Sequence, residues 1–222
     1  MKTVKLIEIG EEIHEENRLR AKEVKALLEE THTRMINIMA SPGAGKTSLI
    51  LKTAEALNEK IRLSVIEADI DSLTDAQKLS DAGIEAVQLH TGGFSHVDGY
   101  MMQKTLQAVD LDKTDLLILE NVGNLICPAQ SDTGAQLNVV ISSIPEGDDK
   151  PLKYPLIFRV ADVLIINKID FLPLCDFDLE AFKARARLLN PKIVIFELSC
   201  RTGEGVGEWA QWLRKWNLKK EP

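Results

Sequence analysis

Cysteine is scarce in this sequence. Cys127, Cys175 and Cys200 are the only three among 222 residues. An odd, scattered set excludes a disulfide framework and fits a reducing compartment. Long apolar runs are also missing. None approaches the ~20 residues that a membrane span needs, so no membrane partner is expected. The opening residues 1–10 lack a signal-peptide apolar region, and a cytoplasmic location is the expectation. Positive charge is in deficit: 27 Lys and Arg stand against 34 Asp and Glu, a net charge of −7. That sign argues against nucleic acid or an anionic membrane as a main partner. It leaves nucleotides open, because local N–H groups hold phosphates. Repeats, low-complexity tracts and a convincing linker are absent too.

What is present is ordinary for a folded chain: 45% hydrophobic and 27% charged residues. The length suits one α/β domain with trimmings and can bury a sizeable core. The chain is organised around Ala40-Ser41-Pro42-Gly43-Ala44-Gly45-Lys46-Thr47, which follows the apolar run 35–39 and leads through Ser48 into a helical pattern. Strand, glycine-rich turn and helix are the setting of a phosphate-binding loop. N–H groups of the turn face phosphate oxygens, aided by the positive end of the helix. Lys46 reaches the β- and γ-phosphates and the Thr47 hydroxyl binds Mg²⁺. Ala40 stands where such loops usually open with glycine. A small residue still permits the turn, since the close approach to phosphate falls to Gly43 and Gly45.

The rest alternates between strand and helix patterns. Strands are expected at 35–39, 62–67, 84–89, 115–119, 138–142, 162–166 and 193–196. Helices are expected at 11–30, 47–58, 75–79, 98–108, 179–189 and 206–218. This gives an α/β fold, a three-layer P-loop NTPase with a mostly parallel, doubly wound sheet, preceded by an amphipathic helix. Residues 1–34 form an extended arm and a helix packed on the domain or on a partner chain; residues 35–222 form the P-loop domain. Trp209, Trp212 and Trp216 read as a core-facing or partner-facing stripe of the last helix. His14 and His32 read as lone surface histidines.

In such a sheet ligands bind beyond the carboxyl ends of the strands. After the fourth strand come Glu120, to hold Mg²⁺ through water, and Gly123, to sense the γ-phosphate. After the sixth comes Asn167-Lys168-Ile169-Asp170. The Asp170 carboxylate accepts two hydrogen bonds from N1–H and the 2-amino group of guanine, a donor pair that adenine lacks, so GTP is expected over ATP. Asn167 supports the loop and the stem of Lys168 covers the base. Ser199-Cys200-Arg201, after the last strand, meet the guanine O6 through their backbone. Asp69, Asp71 and Asp75 all compete for the Mg²⁺ shell; Asp75 is favoured, with Asp69 behind it. Asn124 replaces the Gln that orients water in fast GTPases, which suggests slow hydrolysis.

Taken together, Glu120-Asn121-Val122-Gly123-Asn124-Leu125-Ile126-Cys127-Pro128-Ala129, Gly147 to Pro155, Asn167 to Asp170 and Ser199 to Gly205 resemble the hydrogenase nickel-incorporation GTPases, the HypB family. These are SIMIBI-class proteins related to the urease-accessory GTPases. The resemblance implies a GTP-dependent homodimer. It implies help in delivering Ni²⁺ to the [NiFe]-hydrogenase large subunit, alongside another maturation metallochaperone. It also implies a Ni²⁺ or Zn²⁺ site at the dimer interface, built from a Cys-His pair and a Cys-Pro cysteine. Cys127 and His96 match. Ser95 stands where the family usually has Cys, and a hydroxyl is a far poorer ligand for these metals than a thiolate. Two chains that each bring Cys127 and His96 still make a four-ligand site suited to Zn²⁺. His90 is a further candidate, more simply a loop residue at a strand end. Residues 144–155 are expected to be a mobile element in which Lys150 and Lys153 reach the nucleotide or carboxylates of the partner chain, or else a solvated charged loop. Two alternatives stay open: delivery to another nickel enzyme such as urease, or a nucleotide-gated interaction protein without a working metal site.

Overall fold

Buried β-branched and aliphatic side chains make Arg34–Ala40 a central strand, β1. A computed structural model describes residues 10–58 and 60–218, with side chains from residue 15 onward. Six further strands join β1: β2 (Leu63–Asp69), β3 (Glu85–His90), β4 (Leu116–Glu120), β5 (Leu137–Ser143), β6 (Val163–Asn167) and β7 (Val194–Glu197). Their order is β3-β2-β4-β1-β5-β6-β7, and each neighbouring pair runs parallel. β4 and β6 are buried along their whole length, as parallel strands covered on both faces must be. The edge strands β3 and β7 are only half-buried.

The helices are α1 (Gly10–Glu30), α2 (Lys46–Leu57), α3 (Thr74–Asp81), α4 (Gly99–Thr105), α5 (Lys150–Lys153), α6 (Pro155–Val160), α7 (Leu179–Leu189) and α8 (Val206–Leu218). Alternation along β1 sorts the layers. Ile36, Ile38 and Ala40 join Leu49 and Ile50 of α2 and Trp209 and Leu213 of α8 on one face. On the other, Met35 packs with Val24 and Leu28 of α1 and Met102 of α4. Met39 packs there with Phe158 of α6 and Phe182 of α7. Between these two apolar groups runs a polar ladder from the residue after β4 through β1 to β5. Asn121 Nδ2 donates to Asn37 Oδ1 at 3.0 Å, and Asn37 Nδ2 donates to Asn138 Oδ1 at 3.1 Å.

The tryptophan stripe faces the core. Trp209 is fully buried, its ring edge-on to Phe196 at 5.5 Å and its Nε1 donating to Thr53 Oγ1 at 2.9 Å. Trp212 stacks on it at 5.9 Å, and the Arg34 guanidinium covers Trp216 at 4.9 Å.

α1 lies on the domain. Asn17 Oδ1 accepts from Gly99 N–H at 2.7 Å, and its Nδ2 donates to Asp132 O at 3.1 Å. The extended arm expected at the N-terminus, and the side chain of His14, lie outside the described residues. His32 is exposed in the turn after α1, at φ 56°.

Two expectations need correction. The helix expected at 98–108 is α4, capped by Asp98, followed by a separate 3₁₀ turn Leu106–Ala108. The segment 144–155, expected as a mobile element or else a charged loop, is not a loop but regular structure: a 3₁₀ turn Ile144–Glu146, then α5 and the start of α6. Ser143 and Glu146 form a reciprocal capping box there. Pro155 opens α6 because proline has no N–H to lose at that position, and Tyr154, at φ −128° and ψ 57°, breaks the helix before it.

Candidate nucleotide and metal site

The loop after β1 rises at the centre of the sheet, where the chain leaves β1 between β4 and β5. Gly45 sits at φ 104° and enters α2 with no side chain capping the helix start, which leaves first-turn N–H groups for an anion. Only glycine fits: a Cβ at Gly45 would stand 2.4 Å from Asn167 Nδ2. The loop residues Ser41 to Ser48 thus meet the loop after β6. Asn167 Nδ2 donates to Ala44 O at 2.9 Å, and its Oδ1 accepts from Lys168 N–H at 2.8 Å and Cys200 N–H at 3.3 Å. Lys168, at φ 61°, reaches back so that Nζ donates to Gly43 O at 2.7 Å.

Asp170 lies beside this junction. Its Oδ1 accepts from the Ser199 hydroxyl at 2.6 Å, with Arg201 3.5 Å from Oδ2. Oδ2 is buried and has no hydrogen-bond partner, so an acceptor stands ready for a donor from a ligand. Burial pushes the neighbouring Cys200 thiol up to about 11, which makes it a poor metal ligand.

On the other flank, Thr47 Oγ1 donates to Glu120 Oε1 at 2.8 Å and Lys46 Nζ lies 4.0 Å from the same oxygen. Burial pushes Glu120 up to about 7, against the pull of Lys46 and Thr47. Gly123 faces the loop, where a Cβ would meet Pro42 Cγ at 3.0 Å. Asp75, paired with Lys78 at 2.7 Å, brings its carboxylate within 4.8 Å of Glu120. Asp69 is not in that cluster: its Oδ1 accepts from Asp71 and Ser72 N–H at 3.0 and 2.9 Å. Burial opposes these bonds but does not outweigh them, and Asp69 is held below its usual range.

Two residues here escape sequence reasoning. Glu67 of β2 pairs in register with Glu120 of β4 and joins the carboxylate cluster. Burial pushes it too up to about 7, opposed by a hydrogen bond from Gln88 and reinforced by Glu120. The signal was a charge inside an apolar run. Glu146 is the second. It accepts from the Ser41 hydroxyl, and from Ser143 N–H and hydroxyl at 2.8 Å each. Lys150 pairs with it at 3.3 Å, and Lys153 pairs with Asp149 at 2.5 Å. Both lysines expected to reach a partner chain therefore have partners within their own.

Cys127 is half-buried and leads into the 3₁₀ turn Pro128–Gln130. Ser95 and His96 are half-buried in the loop before α4, and His96 Nδ1 is buried without a hydrogen-bond partner. His90 is exposed at the end of β3. Among the described residues, Glu67, Asp75 and Glu120 are the one group of three His, Cys, Asp or Glu side chains close enough to share a metal. No such group among the described residues includes Cys127 or His96.

Residues 34–197 match the family described as CobW/HypB/UreG, nucleotide-binding domain. The hydrogenase maturation factor HypB of Azotobacter vinelandii is 43% identical over 95% of this chain and 70% of its own. The chain belongs to the HypB family. The hydrogenase/urease maturation factor HypB of Helicobacter hepaticus is 37% identical, over 92% of this chain and 85% of its own. A crystal structure of HypB from Helicobacter pylori in complex with nickel superposes with a TM-score of 0.87. It is 33% identical and covers 91% of this chain and 95% of that one. No helix among the described residues is long and apolar enough to cross a membrane.

Proposed function

We propose that this chain binds GTP, hydrolyses it slowly and, through GTP-dependent dimerisation, assists nickel insertion during [NiFe]-hydrogenase maturation in the cytoplasm. The observation that carries the reading is the junction of Asn167, Ala44 and Gly45, which sets a carboxylate suited to guanine beside a phosphate loop. Lys46 and the N–H groups at the start of α2 hold the phosphates. Asp170 takes the guanine edge, with Ser199, Cys200 and Arg201 lining it. Thr47, Asp75 and Glu120 offer hard oxygen donors that fit Mg²⁺, and Mg²⁺ supplies neutralisation of the β- and γ-phosphate charge. Water then attacks the γ-phosphorus, the bond to the β-phosphate oxygen breaks, and Gly123 lies where that change is felt. Asn124 in place of a water-orienting Gln makes this step slow.

Dimerisation is supported by apolar side chains at the strand ends: Ile70, Leu73, Phe94 and Ile126 are each at least half exposed. On such a face Cys127 and His96 of two chains form the Ni²⁺ or Zn²⁺ site, with Ser95 beside it. Cys127 follows Gly123 by four residues, so a shift of that loop on GTP binding changes the metal affinity. Ni²⁺ and Zn²⁺ titrations of wild type and Cys127→Ala, each with GDP and with a non-hydrolysable GTP analogue, test this. Equal metal affinities in the two nucleotide states refute the coupling. Metal binding unchanged in Cys127→Ala favours an interaction protein without this centre. GTP binding unchanged in Asp170→Ala refutes the base site. The name of the Helicobacter hepaticus relative favours one second reading, delivery to urease as well as hydrogenase.

A further inference from the structure

Glu67 has no role in the reading above, yet it is among the least comfortable residues in the fold. It is 3% exposed in a central strand, in register with Glu120, itself 2% exposed. Asp75 at the start of α3 adds a third carboxylate, and one oxygen of each lies within 4.8 Å of the other two. Glu67 Oε2 and Glu120 Oε2 are both buried and have no hydrogen-bond partner. The nearby cations are already engaged: Lys46 lies 4.0 Å from Glu120 Oε1, and Lys78 is 2.7 Å from Asp75. Those two lysines offset Glu120 and Asp75 only, and among the described residues no ion pair reaches Glu67; a buried carboxylate oxygen without a partner is costly in itself. A divalent cation resolves both problems. Carboxylate and hydroxyl oxygens select hard ions of the Mg²⁺ and Mn²⁺ class over thiophilic metals.

We propose that Glu67, Asp75 and Glu120 form a divalent-cation site that fills before the nucleotide arrives, with Glu67 as an additional ligand. Most of the coordination is then supplied by the protein, and the incoming phosphates meet a bound cation instead of bringing one. The site uses residues of the proposed nucleotide centre but does not depend on which nucleotide binds there.

The test is a Mn²⁺ titration of the nucleotide-free full chain, with free Mn²⁺ read by electron paramagnetic resonance. One Mn²⁺ per chain is expected, displaced by Mg²⁺. Glu67→Gln keeps the shape, removes the charge and weakens Mn²⁺ binding at least tenfold. Mn²⁺ raises the Tm of wild type but not that of Glu67→Gln. Asp75→Asn, at a half-exposed position, gives the same loss if Glu67→Gln does not fold. Cys127→Ala leaves Mn²⁺ binding intact. Absence of bound Mn²⁺ without nucleotide, or a loss smaller than tenfold in the folded variant, overturns the proposal. Altered GTP preference in Asp170→Ala with unchanged Mn²⁺ binding separates this site from the assignment of the base.

Discussion

Asn167→Ala is the most informative single change. The side chain is 1% exposed and makes three hydrogen bonds, to Ala44 O, Lys168 N–H and Cys200 N–H. Ala44 is fully buried, so its carbonyl loses a partner that water replaces poorly. One such orphan costs ~1–3 kcal/mol. The Lys168 and Cys200 N–H groups are partly accessible and together add about 1 kcal/mol. The total is about 3 kcal/mol, a large share of the ~5–15 kcal/mol that holds a domain together. The variant therefore folds but unfolds at lower urea, with an unchanged slope. Gly45→Ala strikes the same contact from the other side. It meets αL strain of ~1–2 kcal/mol and also displaces Asn167. In the double variant the displaced group is already gone. The two losses then fall short of their sum by at least ~0.5 kcal/mol. Urea unfolding followed by tryptophan fluorescence measures all four proteins, and a fluorescent GDP analogue measures binding. Two results refute the reasoning. One is a loss below about 1 kcal/mol for Asn167→Ala, the size of one ordinary hydrogen bond. The other is strict additivity of the two changes.

The core and the carboxylates give further expectations. Trp209→Ala removes a fully buried indole packed on Phe196 and Trp212 and costs ~3–5 kcal/mol, read by urea unfolding. Trp209→Phe keeps a ring but loses the bond to Thr53, and costs less. Burial raises Glu67 and Glu120 from 4.5 to about 7, so the folded chain holds more protons than the unfolded one in that window. Without divalent cations, stability therefore falls as pH rises from about 4.5 to about 7 and levels off above. Lys46, Lys78, Asp69 and Asp75 face the pair and modulate the fall. Glu67→Gln flattens the profile; a profile as steep as wild type counts against the burial argument.

Much of the fold is legible because its signals are local. Leu179–Leu189 and Val206–Leu218 match the expected helices to the residue, each with an apolar stripe. For Leu179–Leu189, the Asp178 N-cap and the stop at Asn190-Pro191 are equally local signals. The central strands announce themselves as unbroken apolar runs. The phosphate loop carries its own chemistry in eight consecutive residues. What stays hidden depends on register between distant strands. Nothing near Glu67 in the sequence says that its carboxylate meets Glu120; that follows only when β2 and β4 align. Glu146 was half legible, since Ser143-x-x-Glu146 is a capping box, but its second bond to Ser41 crosses more than a hundred residues. Lys150 and Lys153 read as free charge in the sequence until their i,i+4 partners Glu146 and Asp149 are placed on a turn and a helix.

The loop after β4 gains most from the structure. In sequence, Glu120, Gly123 and Cys127 are neighbours whose connection is only proximity. In the fold, the residue between them is the joint. Asn121 is fully buried, and its Oδ1 accepts from Val97 N–H at 3.1 Å and Val122 N–H at 2.9 Å. Val97 follows His96 directly, so the segment bearing that histidine hangs on the same side chain that shapes the Glu120–Gly123 turn. On its other side Asn121 is held by Asn37, the middle residue of β1, whose end becomes the phosphate loop. Asn17 ties the same segments again from α1, through Gly99 and Asp132. The loops bearing Cys127 and His96 are thus tied to the strand ends that frame the phosphate loop. A buried side chain with every polar atom engaged moves between packed alternatives rather than by continuous drift. A shift at Gly123 would then displace both loops, which is the mechanical requirement of the coupling proposed between nucleotide and a metal at Cys127 and His96.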